Sequence, residues 1–560
     1  MPRIRTNRVL LAKAALMRQR VIEMRKNNRT VRIAALLFSV TLMLASVTSC
    51  LGKGADSVEY PVTEKPTYMI YYGAVDDEVV ENARQYDIAI LHPRQGALSA
   101  EQVDAIQSAG TKVLAYLSVG EDLRTAGKTP EEMREDPRFT GDGSGPRVDP
   151  RAEGETSLAA AVVSGSDSPG GSGYASYYLD DNDHDGKPDM NPYFTCAYTN
   201  IGDPNWYEVL DTMTMDGEDG VAGIREILTE NYGRGLGCDG LFLDTVDTCA
   251  PNAYTDDDNP AKTRFEWTAV GVADLMARIK ADYPGTLICQ NRGLFFYNHL
   301  SEHYRYTPRA NVDYLLFESY RLDSSPEHLY HEGYFADNKN NLVPRLAVES
   351  RREDGFTVLS LGYAEGPEEY ALSDTLTGNS DKGQDALCQD VEEADERAGF
   401  SHYITNALLT QPNDFVMNHL AAADNEAPVW SSVYNDSTEW PPHEPEPRVG
   451  LGSAASEESR CVRIWWDVAL DRTGVCYTLY YQQGTFDFET DPDLKKARKV
   501  LLVPTVTEEY EQGKADAYPY TATIDALESG KEYSFVLRAT DTSPQHNEEK
   551  NTVVKTVIIQ

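Results

Sequence analysis

The chain has 560 residues, with 90 Asp/Glu against 51 Lys/Arg and a formal net charge of −39 at pH 7. Such a surface excludes nucleic acid as a partner, because phosphate binding requires the opposite sign; it serves solubility, or alternatively attracts a cationic ligand. The length suffices for two or three domains with a large core.

The first fifty residues stand apart. Residues 1–32 hold ten Lys/Arg and one acid, Glu23, and an apolar run from Ile33 to Ala45 leads to Val47-Thr48-Ser49-Cys50. This pattern predicts a signal peptide over 1–50. Its end resembles a bacterial lipobox, which implies that Cys50 is lipidated and anchors the mature protein to a membrane, outside the cytoplasm. Leu51 after the Cys, rather than Asp, implies outer-membrane sorting where the cell has such a membrane. An uncleaved membrane anchor is the alternative, although the run is short for a span. The basic leader is long, and translation from Met17 or Met24 would shorten it. Without residues 1–50 the net charge becomes −48.

From Tyr68 to about Ala423, short apolar runs alternate with amphipathic segments. Strands are predicted at 68–72, 86–91, 112–119, 240–244, 286–290, 312–319, 356–363 and 401–405, and helices at 99–110, 263–283, 385–399 and 412–423. Eight near-continuous apolar strands alternating with helices predict an α/β fold, a closed parallel (β/α)₈ TIM barrel over residues 51–423. A doubly wound open sheet is the alternative, but no Gly-rich phosphate loop follows the first strand.

More than a hundred residues separate the third and fourth strands, where a plain unit needs about thirty. The region 122–200 is therefore an insertion after strand three, rich at first in Gly, Ser and Pro, and expected to be a lid, a substrate wall or simply mobile. Within it, D-N-D-H-D-G-K-P-D from Asp181 to Asp189 has the spacing of a calcium loop. Asp181, Asp183, Asp185 and Asp189 would supply carboxylates and Lys187 its carbonyl to a structural Ca²⁺. Pro192 stands where the usual bidentate Glu belongs, so a solvated acidic turn is the competing reading.

Residues 424–450 are Pro-rich and acidic, as linkers are. Alternating runs then fill 451–560 and predict an antiparallel sandwich. Its WWDVALD, YTLYY and KEYSFVLRATD stretches resemble a fibronectin type III domain, with Trp465 or Trp466 as core tryptophan and Tyr533 before a late strand; a spacer role is the expectation. Beyond Cys50 lie seven cysteines without metal-type spacing. Cys461 and Cys476 are the expected disulfide, with two buried thiols as the alternative.

Two of the barrel strands end on acids, GLFLD at Asp244 and VDYLLFES at Glu318. A parallel barrel delivers such residues to its open face, and two carboxyls are the minimum equipment for cleaving a glycosidic bond. Capping of neighbouring helices, or pairing with Arg292 or Arg321, is the bland alternative. Tyr72, Tyr116, Glu121, Asp247, Gln290, Asn291, Tyr320 and Tyr363 are substrate-binding candidates at the same face, Tyr320 and Tyr363 by stacking on sugar faces.

YLSVGE (116–121), FLDTVD (242–247), CQNRGL (289–294), LLFESY (315–320) and LSLGYA (359–364) together resemble glycoside hydrolase family 114, the endo-α-1,4-polygalactosaminidases. The resemblance covers about 350 residues. It implies retaining hydrolysis of an α-1,4-linked galactosamine-containing polysaccharide without a catalytic cofactor. Carried over residue by residue, it makes Asp244, ending strand four, the nucleophile and Glu318, ending strand six, the general acid/base. Glu121 and Asp247 would then bind a cationic amino sugar. His92 departs from the family pattern, in which many relatives carry an acid after strand two. A catalytically inactive glycan-binding surface lipoprotein is the rival reading. A metal hydrolase is disfavoured by the lack of a His/Asp cluster at ligand spacing.

Overall fold

The structure is a computed structural model describing residues 58–560, except 95, 255–262, 324–331, 367–368, 379, 421 and 435–447. The expected leader and Cys50 lie outside the described residues. Among those described, no helix is long and apolar enough to cross a membrane.

Eight parallel strands pair in chain order: β1 Tyr68–Tyr71, β2 Ile88–Leu91, β3 Lys112–Ser118, β4 Gly240–Asp244, β5 Leu287–Asn291, β6 Tyr314–Glu318, β7 Thr357–Tyr363 and β8 Ser401–Thr405. All residues of β1, β2 and β8 are buried, as strands covered on both faces must be. The sheet curls until β1 meets β8, where the rings of Tyr68 and Tyr403 lie 5.8 Å apart. The Tyr68 hydroxyl donates to the Ser360 carbonyl across the interior at 2.6 Å.

Helices cover the outside, and some of them start on side-chain caps. Asp76 caps Asp77–Ala83, and a Ser99/Gln102 capping box opens Ala100–Gln107, satisfying amide donors that the first turn leaves free. The β5–β6 connection carries three short 3₁₀ turns, at Leu294–Tyr297, Glu302–Tyr306 and Arg309–Asn311. Asn298, Ser301 and Pro308 interrupt any longer helix there.

The insertion is folded. Glu121–Asp122 pairs with Ala197–Tyr198, and Arg147–Val148 with Ser166–Asp167. Its base buries an Arg124–Asp122 ion pair at 2.8 Å, and the Tyr178 hydroxyl donates to Asp122 at 2.7 Å. A buried charge pair persists where its remaining lone pairs are satisfied in this way.

The C-terminal region is a sandwich of two four-stranded antiparallel sheets. Its strands are β9 Leu451–Ala455, β10 Val462–Trp466, β11 Val475–Gln483, β12 Arg498–Leu502, β13 Thr505–Val506, β14 Tyr520–Ile524, β15 Glu532–Asp541 and β16 Lys555–Ile558. The sheet orders are β9-β10-β14-β13 and β12-β11-β15-β16. Trp466, wholly buried, packs between them against Tyr477 and Tyr520.

One expectation is corrected here. Cys461 immediately precedes β10 and Cys476 lies in β11, on opposite sheets, and both are free thiols. The linker is tied down where it is described: Val429–Trp430 pairs with Ala469–Leu470 of the sandwich. The sandwich docks on the barrel through Arg351, which donates to the Ala469 carbonyl at 2.8 Å, and through His299 stacked 3.8 Å from Tyr510. Even the segment before β1 crosses the sandwich, with Thr63 N donating to the Thr542 carbonyl at 3.1 Å.

Candidate active site

Strand register assembles the site. Leu243 pairs with Gln290 and Leu316 with Asn291, so Asp244 stands level with Asn291 and Glu318 two residues higher. An even offset keeps all three side chains on one face. Glu318 pairs with Leu361, which puts Tyr363 on that face as well, and Ser118 pairs with Asp244, which does the same for Tyr116.

One side chain holds the two acids. Asn291 Nδ2 donates to Asp244 Oδ1 and to Glu318 Oε2, at 2.8 Å each, so those oxygens lie no more than twice that distance apart. The two amide N–H bonds diverge by about 120°, which sets the oxygens about 5 Å from each other. The second Glu318 oxygen accepts from the Tyr363 hydroxyl. Burial, and then the charge of Asp244, raise Glu318 above its ordinary carboxylate range against the bonds from Tyr363 and Asn291.

Each of the three strands leaves this layer in the same way. Thr245, Arg292 and Ser319 follow Asp244, Asn291 and Glu318, and all three are left-handed, with φ of 63°, 54° and 57°. Non-glycine residues seldom adopt this conformation, and it concentrates at functional sites. Thr245 is fixed there by its hydroxyl, which donates to the Asp244 carbonyl at 2.6 Å and accepts from Gly120 N at 2.7 Å. Gly120 must be glycine at this approach, since a Cβ would come within 2.3 Å of the Thr245 carbonyl.

An aromatic wall stands opposite. Tyr72, His92 and Tyr116 follow on from the paired rungs of β1, β2 and β3; His92 stacks on Tyr116 at 4.7 Å, and Tyr72 meets Tyr116 edge-on at 5.4 Å. Burial and Arg94 lower His92 to about 4, so it carries no positive charge at neutral pH. Beside Tyr116 an apolar pocket, lined by Trp206, Met213 and Met215 among others, includes Glu121.

Glu121 is buried and accepts from Asn191 Nδ2 at 2.8 Å. Burial pushes it up to about 7, against that bond and with help from Asp244. Folded protein therefore holds a proton that the unfolded chain has lost between about pH 4.5 and 7, and this term weakens stability as pH rises through that window. Glu121→Gln removes it and keeps the acceptor. Its melting temperature should gain on wild type by about 2–5 °C between pH 5 and 8. Parallel melting curves in pH would refute the assignment.

Three substrate-binding candidates and the metal set are corrected. Gln290 is wholly buried, giving Nε2 to the Arg292 carbonyl at 2.7 Å and taking a bond from Tyr297 at 3.0 Å. Tyr320 is 0 % exposed and packs among Phe317, Phe335 and Phe400, where no sugar can reach it. Asp247 accepts from Arg292 Nε at 2.6 Å and Gly293 N at 2.8 Å, so its charge is already matched. The metal set changes too. Asp181 is committed to Trp267 Nε1 at 2.7 Å and Asp149 N at 2.6 Å, and Asp189 to Asn182 N at 2.9 Å. The carboxylates that converge are those of Asp180, Asp183 and Asp185.

Asn191 and the Thr245 hydroxyl were not foreseen. Thr245 sits inside the FLDTVD stretch, which could have drawn attention to it, whereas nothing in sequence marks Asn191. A Ser360–His402–Asp390 chain, with bonds of 2.8 and 2.7 Å, has the connectivity of a nucleophilic triad. It is sealed in the interior, all three residues being buried, and its role is to satisfy polar groups there.

Fold and site together define a (β/α)₈ barrel with paired carboxyls at the C-terminal ends of its strands, the face on which such barrels carry their chemistry. No family model and no curated sequence matches the chain. Solved structures similar to it include the glycoside hydrolase domain of PelA from Pseudomonas aeruginosa, at 15% identity and a TM-score of 0.35, covering 62% of this chain and 97% of that one. Ega3 of Aspergillus fumigatus, solved with galactosamine, is 14% identical at a TM-score of 0.33, covering 64% and 98%. An α-amylase of Geobacillus thermoleovorans, solved with acarbose, is 9% identical at 0.32, covering 84% and 98%. Likeness at these scores adds nothing to the barrel assignment, which rests on strand order and register.

Proposed function

We propose that the protein is a glycoside hydrolase that cleaves an α-1,4-linked, galactosamine-containing polysaccharide with retention of configuration. The observation that carries this reading is the single Asn291 amide bridging Asp244 and Glu318. A separation of about 5–5.5 Å suits a nucleophile and an acid/base, whereas inversion needs about 6.5–9.5 Å to admit water. Glu318, held above the ordinary carboxylate range, donates the proton to the leaving oxygen, and Asp244 attacks the anomeric carbon. Tyr72, Tyr116 and Tyr363 line the sugar site. Glu121, once ionised, would pair with a sugar ammonium, and the acidity of the whole chain would draw a cationic polymer toward it. Lipidation at Cys50 would hold the enzyme outside the cytoplasm, with a fibronectin III-like sandwich braced against its barrel.

The test is proton NMR of partially deacetylated galactosaminogalactan during digestion by the purified protein. Early release of α-anomeric ends supports the reading, and β-anomers appearing first would sink retention. Binding without any product would favour an inactive glycan-binding lipoprotein.

A further inference from the structure

Outside the catalytic layer, the insertion holds a group of acids that hydrogen bonding leaves unfinished. Asp180, Asp183 and Asp185 each bring a carboxylate oxygen within 4.8 Å of the others. Asp180 is completely buried. Its Oδ2 accepts from the Ser168 hydroxyl and from Gly186 N, the latter at 2.9 Å, but its Oδ1 is buried without any hydrogen-bond partner. A buried carboxylate oxygen left this way is costly unless something positive meets it.

The turn around it is built for close approach. Asp183 Oδ1 accepts from Asp185 N at 3.1 Å and Asp185 Oδ1 from Lys187 N at 2.9 Å, which folds both side chains back over the loop. Gly186, at φ +84°, lets the loop lie against Gly171, whose Cα would be 3.2 Å from any added Cβ. Lys187 is the nearby cation, but its ammonium sits 2.8 Å from Glu131 and only 3.6 Å from Asp185. It leaves Asp180 unmet.

We propose that Asp180, Asp183 and Asp185 bind a hard divalent cation, Ca²⁺, with the Asp180 Oδ1 lone pairs as its innermost ligand. Three carboxylates on one turn, completed by water and main-chain oxygens, match the irregular six- to eight-fold shell of Ca²⁺ better than the strict octahedron of Mg²⁺. A site with only three protein carboxylates should bind weakly, with a Kd of about 10⁻⁴–10⁻³ M, as extracellular calcium modules do. The bound ion would stiffen the stretch that carries Asn191. Asp189 N donates to the Leu179 carbonyl at 2.8 Å and Tyr198 N to the Asp189 carbonyl at 3.0 Å, so the loop is stitched to the strand paired with Glu121.

The experiment is thermal unfolding of the EDTA-treated full chain with CaCl₂ as the only addition. About 5 mM CaCl₂ should raise the wild-type melting temperature by about 2–4 °C. The Asp183→Asn/Asp185→Asn double variant alters only exposed side chains and should lose that rise. Asp180→Asn separates a metal ligand from a structural carboxylate. It should melt above wild type in EDTA, because an amide N–H replaces the orphaned oxygen and faces two carboxylates, and it should no longer respond to Ca²⁺. No rise in wild type up to about 10 mM, or an undiminished rise in the double variant, would overturn the proposal.

Discussion

Asp244→Asn should lower turnover of a galactosamine polymer by about 10⁴–10⁶-fold, and Glu318→Gln by about 10²–10⁴-fold, with melting temperatures near that of wild type. Both replacements keep the shape of the side chain, so Asn291 and Tyr363 retain oxygen acceptors and the barrel layer is not disturbed. The two losses should differ in kind. With an activated leaving group, Glu318→Gln should still form the glycosyl-enzyme, and azide should rescue it to give an α-glycosyl azide. Asp244→Asn cannot form that intermediate, so azide rescue would give the β product. Unchanged activity in either variant, or the same azide product from both, would overturn the two roles.

The second large effect belongs to Asn291. Its amide stabilises the ionised form of Glu318 by donating to it and separates two like charges. Asn291→Ala removes that donor, so the Glu318 pKa should rise further and the alkaline limb of the pH–kcat profile should move upward. Positioning of the pair is lost at the same time, and kcat at the optimum should fall about 10²-fold. Asn291→Asp places a third carboxylate between the first two and should be worse, about 10³-fold. An unmoved alkaline limb in Asn291→Ala would mean that Asn291 does not tune Glu318.

The positions of Asp244 and Glu318 were legible in sequence because each closes an apolar run, and strand ends are where a parallel barrel opens. What side chains do at those ends was less legible. Gln290 and Asn291 are neighbours on one strand, so they point to opposite sides; one reaches the acids and the other is used up inside. Tyr320 follows the left-handed Ser319, which swings it back into a cluster of phenylalanines. No local pattern announces that reversal. Asp247 looks like a free charge in sequence because Arg292, its partner, comes from the next strand's turn. Spacing alone marks the acid turn in the insertion, and spacing points to Asp181 in place of its neighbour Asp180, whose burial only the packed insertion decides. Asn191 is 70 residues from Glu121 and could not have been paired with it. The linker, judged by its prolines and acids, became a strand partner of the sandwich where it meets Ala469 and Leu470.

The repeated left-handed step at Thr245, Arg292 and Ser319 has a consequence for how this barrel can change. Because the chain turns away immediately above each working residue, the spacing of the acids is inherited from the ladder beneath them and owes little to whatever is spliced in above. Loops past those three residues behave as interchangeable fittings on a fixed socket. Grafting a different loop beyond Ser319 should leave the spacing of Asp244 and Glu318 where the strands put it.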